Sequence, residues 1–379
     1  MKYRAFGRLD FQVSALGFGC MRLPTTGPSG EVDEPAAIEM IRYAIDHGVN
    51  YVDTAYPYHG GASERVLGKA LAGGYRERVA LATKMPVWMV NCPADFDRLF
   101  DEQCARLGAD RIDYYLLHNL QAPSWPRMRD LGATAWLEKT QAAGRIGHVG
   151  FSFHDTFDVL RDIVEAYDGW SFCQVQYNFV NEDVQAGTAG VEYAAGRGLA
   201  VVVMEPLFGG TLAAPPPPVR RLWDEALGRP DPVDLALRWL WDKPEVSVVL
   251  SGMTALEHVR RNVASAERSG PGTLTAAERD LLARVRDAYQ ALDPVPCTGC
   301  GYCLPCPSGV AVPDNFQLYN NVQVFKGSTV GLNRNLYHDM PAAKRADRCT
   351  ACRECEAQCP QGIAVSQWMP KVHDELSKR

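Results

Sequence analysis

Eight of the twelve cysteines in this 379-residue chain fall within 63 residues, in two tight runs. The first places Cys297, Cys300, Cys303 and Cys306 two residues apart, with Pro307 after the last. The second reads C-x2-C-x2-C-x3-C-P at Cys349, Cys352, Cys355 and Cys359. Thiols this dense in a reducing compartment are metal ligands rather than disulfide partners. Three thiolates at such spacing wrap one face of a [4Fe-4S] cluster and leave the fourth ligand to come from elsewhere. Structural zinc also takes four thiolates, but a cysteine triad followed by Cys-Pro, occurring twice, is an uncommon zinc pattern. Cys20, Cys92, Cys104 and Cys173 are scattered and read as buried apolar thiols.

A second group of reactive residue types is dispersed and gains meaning only from the elements that carry it. Between residue 13 and about residue 267, short apolar or β-branched runs alternate with amphipathic helical stretches, the pattern of parallel strands joined by crossover helices. Eight strands are expected, at VSALGFG, NYVDTA, VALATK, IDYYLLH, GHVGFS, CQVQYN, LAVVVMEP and VSVVLSG. In the first helix, Ile38, Ile41 and Ile45 share a face while Arg42 and Asp46 turn elsewhere. Eight such units over this length fit a closed (β/α)8 TIM barrel, with a doubly wound open sheet as the alternative. The run AAPPPPVRR after the seventh strand reads as an extended loop on the rim, a candidate lid. TLTAAERDLLARVRDAYQAL reads as a helix capped by Thr275 and Glu278, broken by DPVP. A helical stretch, AVPDNFQLYNNVQVF, separates the two cysteine runs. The expected domains are therefore a barrel over 1–270, a linker helix over 271–296 and a small, mainly helical cysteine-rich domain over 297–379.

In a barrel of this kind the chemistry sits where strands end. Asp53, Lys84, His118, Ser152, Gln174 and Glu205 close six successive strands. At this point a resemblance becomes specific: DTAYPYHGGASERVLGKAL, LATK, DYYLLH, QVQYN and the N-terminal YRAFGRLDFQVSALGFGCMRLP resemble the aldo-keto reductase family over nearly the whole barrel. The resemblance implies four catalytic residues, Asp53, Tyr58, Lys84 and His118, all intact.

The chemistry of these four is coherent. Hydride reduction of a carbonyl leaves an alkoxide that needs a proton, and Tyr58 is a suitable acid once its ordinary pKa of about 10 is brought down. The Lys84 ammonium stabilises the phenolate, Asp53 fixes Lys84, and His118 steers the substrate oxygen. Tyr56, two residues away, is the rival acid, and Trp88 is expected at the substrate mouth. For a nicotinamide dinucleotide, NADP or NAD, the resemblance implies Ser152 and Gln174 at the carboxamide. It also implies Met204 at the ring face, backbone contacts at Gly252 and Met253, and Asn262 at the adenine. Two positions depart from the family: Phe153 stands where Asn is usual, and Met204 where a stacking aromatic is usual. The basic residue that commonly grips a 2′-phosphate is also not at its usual place; Arg260 or Arg261 is the candidate substitute, with a solvated helix face as the alternative reading of either.

The tail resembles a dicluster ferredoxin-type module. By that resemblance one cluster takes Cys297, Cys300, Cys303 and Cys359 and the other takes Cys349, Cys352, Cys355 and Cys306, the shorter last spacing of the first run being a small departure. The whole chain resembles the iron-sulfur-bearing branch of the aldo-keto reductases, an α/β barrel followed by a ferredoxin-like iron-sulfur domain.

Lys and Arg total 39 against 45 Asp and Glu, a net charge of −6, and no local basic patch stands out, so no nucleic-acid partner is expected. The charged N-terminus and the lack of a long apolar run lead to the expectation of a cytoplasmic protein with no membrane partner.

A cluster passes single electrons and nicotinamide passes hydride, so the combination admits three readings. In the first, an NAD(P)H-dependent carbonyl reductase carries two [4Fe-4S] clusters for electron transfer or regulation. In the second, a flavin or a radical-forming substrate links the barrel to clusters fed by a ferredoxin-like donor or acceptor. In the third, the protein is a non-enzymatic redox-sensing module. The intact four residues favour the first.

Overall fold

The computed structural model describes residues 1–26, 30–292, 294–324 and 328–378. Asp293, in the expected helix breaker, and Phe325, at the end of the expected stretch between the cysteine runs, lie outside them.

Eight strands close into one barrel: β1 (Leu16–Gly19), β2 (Tyr51–Asp53), β3 (Ala80–Met85), β4 (Ile112–Leu120), β5 (Ile146–Phe153), β6 (Phe172–Gln176), β7 (Ala200–Met204) and β8 (Val246–Ser251). All pairs are parallel. β8 returns to β1 with Val249 opposite Leu16, and β5 meets β6 with Ser152 opposite Gln174. Closure excludes the open-sheet alternative.

The period-two alternation of a strand divides each run between two layers. Leu16, Val52, Leu81, Leu117, Phe151 and Val203 join the outer layer under the helices. Tyr51, Ala82, Leu116, Phe172, Val202 and Val248 fill the barrel interior. An antiparallel hairpin, Tyr3–Phe6 with Leu9–Ser14, plugs the end of the barrel where the strands begin. Its Phe6 is fully buried among Tyr51, Tyr114 and Phe172, with centroids 5.7, 4.8 and 5.8 Å away. Aromatic rings therefore stopper the end of the barrel where the strands begin.

Three outer helices matter for the site. α1 (Glu34–Asp46) is capped by the Asp33 side chain, which accepts from the Ala36 N–H at 3.2 Å. It buries Ile41 and Ile45 together with Ala37 and Met40, while Ile38 is half-buried and Asp46 exposed. α2 (Ala62–Leu71) follows β2, and α3 (Ala94–Leu107) follows β3. None of the described helices is long and apolar enough to cross a membrane.

The chain separates into two compact units, Met1–Pro206 with Val233–Thr275, and Leu207–Pro232 with Ala276–Arg379. The second is mainly helical, with Pro217–Glu225, Ala276–Gln290, Val312–Val324, Ser328–Asp339 and Val365–Leu376 as its longer helices. Its core gathers Val312, Phe316, Tyr337, Met369, Val372 and Leu376, and six of the eight clustered cysteines pack against it.

The expectation of an extended loop at the four prolines needs correction. Pro217 and Pro218 open the helix Pro217–Glu225. The first turn of a helix has no internal partners for its N–H groups, so proline is at home there. Nor does the segment stand as a separate lid: Tyr289 donates to the Thr211 carbonyl at 3.0 Å. A Cβ at Gly209 (φ +64°) would lie 2.8 Å from the Thr298 carbonyl oxygen, between two of the cysteines. That backbone approach demands glycine on both steric and conformational grounds.

Candidate active site and cysteine centres

At the C-terminal ends of β2 and β3, alternation turns Asp53 and Lys84 inward. Lys84 is fully buried, and its Nζ donates to Asp53 Oδ1 at 2.6 Å and to the Thr54 carbonyl at 2.7 Å. Burial pulls the Lys84 pKa down and pushes that of Asp53 up, each opposed by the charge of the other. Asp53 Oδ2, equally buried, has no hydrogen-bond partner within the protein.

Tyr58 begins the short turn Tyr58–Gly61 after β2 and is 9 % exposed. The Lys84 Nζ stands 5.0 Å from its ring centroid, and the His118 ring meets it edge-on at 6.1 Å. Burial, then the Lys84 charge, hold His118 well below the ordinary histidine value, so its imidazole is neutral. β4 is irregular between Leu117 and Leu120, where Asn119 adopts φ +60°, a departure that sets the ring of His118 at the strand's end. Half-buried Trp88 lies 5.1 Å from His118. Tyr56 is drawn away from this group. Its hydroxyl donates to Glu102 Oε2 at 3.0 Å, and the Arg106 guanidinium covers its ring at 4.0 Å.

Among the residues expected at the dinucleotide, Ser152 Oγ accepts from the Asn119 N–H at 2.8 Å, leaving its own hydrogen for another acceptor. Gln174 points its amide N–H at Met204 Sδ, 3.6 Å away, and its buried Oε1 has no partner within the protein. An open donor from Ser152 and an open acceptor at Gln174, on adjacent strands, suit a primary carboxamide. Phe153 is fully buried in the outer layer beside Phe151, so it does not face the interior, and the missing asparagine leaves no gap there. Gly252 is exposed and Met253 buried at 1 %. Asn262 is 3 % exposed and donates to Ser251 Oγ at 3.0 Å, which ties it to the end of β8. Arg260 is exposed near Glu257, 3.8 Å away.

Sequence reasoning overlooked Arg22, whose side chain runs along Gly252 and approaches Glu205 Oε1 at 3.7 Å. It also overlooked Glu64, Gln103 and Arg106, which come from helices rather than strand ends and as one bonded group reach the backbone of Lys84 and Tyr56 from outside the barrel. Cys20, Cys104 and Cys173 are buried as expected, and Cys92 is not. Cys92 lies in the turn before α3, where its backbone N–H donates to Asp95 Oδ2 at 3.2 Å and its side chain is exposed.

In the second unit the cysteines fall into two groups of four, each with three from one run and one from the other. Cys297, Cys300, Cys303 and Cys359 line a single cavity whose apolar wall includes Phe316 and Ile363. Burial, reinforced by the other three thiols, pushes Cys303 up to about 12. Cys355 is pushed up to about 11 by burial, with Cys306, Cys349 and Cys352 among its neighbours. Cys352 itself is exposed, so the second group lies nearer solvent. Asn320 fixes the approach to Cys297 by bonding both the N–H and the carbonyl of Val295, at 2.9 and 2.7 Å. Among the described residues, no three Cys, His, Asp or Glu side chains gather tightly enough to hold a single ion.

Comparison with known proteins places these features in context. A model described as the Aldo/keto reductase family matches residues 15–270, and one described as a 4Fe-4S dicluster domain matches residues 296–364. An NADH-specific methylglyoxal reductase from Escherichia coli is 26% identical over 336 residues, 76% of this chain and all of that protein. A probable aldo-keto reductase from Glycine max is 25% identical, covering 76% of this chain and 87% of the other. An aldo-keto reductase from Bacillus halodurans, solved in its holo form, aligns with a TM-score of 0.63 at 26% identity, over 75% of this chain and 96% of that one.

Proposed function

The chain belongs to the aldo/keto reductase family and carries a 4Fe-4S dicluster domain, and we propose that it reduces the carbonyl of a small molecule with NAD(P)H, using Tyr58 as general acid. The observation that supports this most directly is the buried Lys84 ammonium, bonded to Asp53 at 2.6 Å and standing 5.0 Å from the Tyr58 ring.

Bound NAD(P)H supplies the hydride. Ser152 and Gln174 Oε1 would hold its carboxamide, the one as donor and the other as acceptor, with Met204 beside them. Neutral His118 offers an N–H to the substrate oxygen and holds it toward the Tyr58 hydroxyl. As charge develops on that oxygen, Tyr58 gives up its proton, and the Lys84 ammonium stabilises the phenolate left behind. Asp53 holds Lys84 in place and balances its buried charge. Gly252, Met253 and Asn262 serve the remainder of the dinucleotide.

The tail holds two [4Fe-4S] clusters, one on Cys297, Cys300, Cys303 and Cys359, the other on Cys306, Cys349, Cys352 and Cys355. Thiols spread around an apolar cavity suit the corners of a cubane better than a point ion. The clusters serve single-electron exchange with a ferredoxin-like partner, or regulation.

The test is to prepare the protein without oxygen, denature it, and identify what is released, alongside a fluorescence titration with NADH and NADPH. Quenching of tryptophan emission with Trp88 as reporter supports the reading. Stoichiometric flavin with no quenching would overturn it.

A further inference from the structure

Glu64, on α2, is a carboxylate with no exposed surface, yet it touches neither the barrel interior nor solvent. Its Oε1 accepts from Thr83 Oγ1 at 2.7 Å and from Gln103 Nε2 at 2.7 Å, and its Oε2 accepts from Arg106 Nη1 at 3.2 Å. Gln103 Nε2 also reaches the Lys84 carbonyl at 3.0 Å, while its Oε1 accepts from Tyr115 at 2.6 Å. Arg106 Nη1 donates in turn to the Tyr56 carbonyl at 3.2 Å. Its guanidinium also packs on Gly61, where a Cβ would come within 3.0 Å of Nη1. Both ends of the active-site geometry therefore meet at one carboxylate: the strand bearing Lys84 and the turn bearing Tyr58.

Every contact made by the two Glu64 oxygens is one in which they accept, the pattern of an ionised carboxylate. Burial pushes its pKa up, and the three donors oppose that. Around Lys84 stand Tyr58 in the turn after β2, Asp53 on β2, Cys20 after β1, Glu64 on α2 and His118 on β4. Burial holds Cys20 and His118 neutral, so the negative field at Lys84 comes from two carboxylates. Around Glu64 stand Arg106 on α3 and the phenol of Tyr115 on β4, which burial keeps protonated. Glu102 closes the group by pairing with Arg106. A buried carboxylate of purely structural use is an expensive choice, since apolar packing of similar volume is commonly as stable.

We propose that Glu64 is a positioning residue of the proton-delivery site, fixing the separation of Lys84 and Tyr58 from behind the barrel wall and supplying the second negative charge that keeps the Lys84 ammonium ionised. The proposal rests on the reductase reading for its kinetic consequences, but the electrostatic part stands without turnover.

The experiment compares wild type, Glu64→Gln and Thr83→Val as full-length holoproteins. Glu64→Gln removes the charge and leaves the shape. With less negative field, Lys84 loses its proton more readily and Tyr58 ionises more readily, so both effects move the alkaline limb of kcat/KM to lower pH. The expected displacement is roughly half a unit or more, with kcat down by about tenfold. Thr83→Val removes two bonds, the one Thr83 Oγ1 donates to Glu64 Oε1 and the one it accepts from Gln103 Nε2 at 3.1 Å, but neither charge. It should lower kcat several-fold with KM held and leave the limb where it was. Tyr58 ionisation is read directly as the tyrosinate absorbance difference between each protein and its Tyr58→Phe counterpart, and Glu64→Gln should shift that midpoint the same way. An unmoved limb and midpoint, with only a lower Tm, would reduce Glu64 to a structural part and overturn the proposal. A wild type that turns over no carbonyl would defeat the reductase reading alone, leaving the tyrosinate titration to decide this one. If Glu64→Gln does not fold, Thr83→Val decides: a lower kcat at constant KM supports the positioning role, and unchanged kcat overturns it.

Discussion

The Lys84 ammonium stands 5.0 Å from the centroid of the Tyr58 ring and bonds Asp53 in the same buried space, whereas Tyr56, two residues earlier, is held by Glu102 and Arg106. Geometry thus separates two tyrosines that are near neighbours in sequence, and it sets the first prediction.

Tyr58→Phe should lower carbonyl reduction by about 10²–10⁴-fold while leaving the visible absorbance of the iron-sulfur clusters unchanged. Tyr56→Phe should cost far less. Steady-state kinetics with each dinucleotide checks both, and comparable losses in the two variants would remove Tyr58 from its assigned role.

His118 gives a pH prediction about stability. The folded protein keeps this imidazole neutral, well below its ordinary range, while the unfolded chain takes up a proton below about pH 6.5. Protons therefore favour the unfolded state, and stability is lost as pH falls through that value, by up to about 1.4 kcal/mol per pH unit for this one group. Urea unfolding between about pH 7 and about pH 5 should show a steeper decline in wild type than in His118→Asn. Equal slopes would show that the imidazole is not held neutral.

Cys359→Ser tests the grouping of the thiols. The substituted residue belongs to the second run but lines the cavity of the first. Iron should fall from about eight to about four per chain, and the lost signal should match that lost in Cys300→Ser rather than in Cys352→Ser. Electron paramagnetic resonance of the reduced proteins distinguishes these patterns.

Phe6→Ala should destabilise the barrel by about 3–5 kcal/mol, because it opens a cavity in the aromatic plug. Its effect on KM should be small, since the plug fills the end opposite the catalytic group. Thermal unfolding and kinetics on the same preparation check the two halves of this statement.

The barrel was legible because its signals are local and periodic. Each of the eight strand runs is short, apolar and followed by a helical stretch, and alternation alone turns Asp53, Lys84, His118, Ser152 and Gln174 inward at the strand ends. The same alternation carried a signal that went unused: if Ser152 faces in, Phe153 must face out, and its departure from the family pattern loses its force. The prolines at 215 to 218 misled for the opposite reason. A run that breaks a helix interior also starts a helix, and only the chain around it decides which.

The sequence by itself determined the strand and helix order, the inward residues at five strand ends and the two thiol runs, because each depends on spacing along a few turns of chain. Only the tertiary structure decided which tyrosine meets Lys84 and which cysteines share a cavity. It also decided that Glu64 joins Thr83, Gln103 and Arg106. The segments that carry these groups lie far apart in the chain; those of the site become neighbours only when the barrel closes and its helices pack against it, and the cysteines only when the second unit folds.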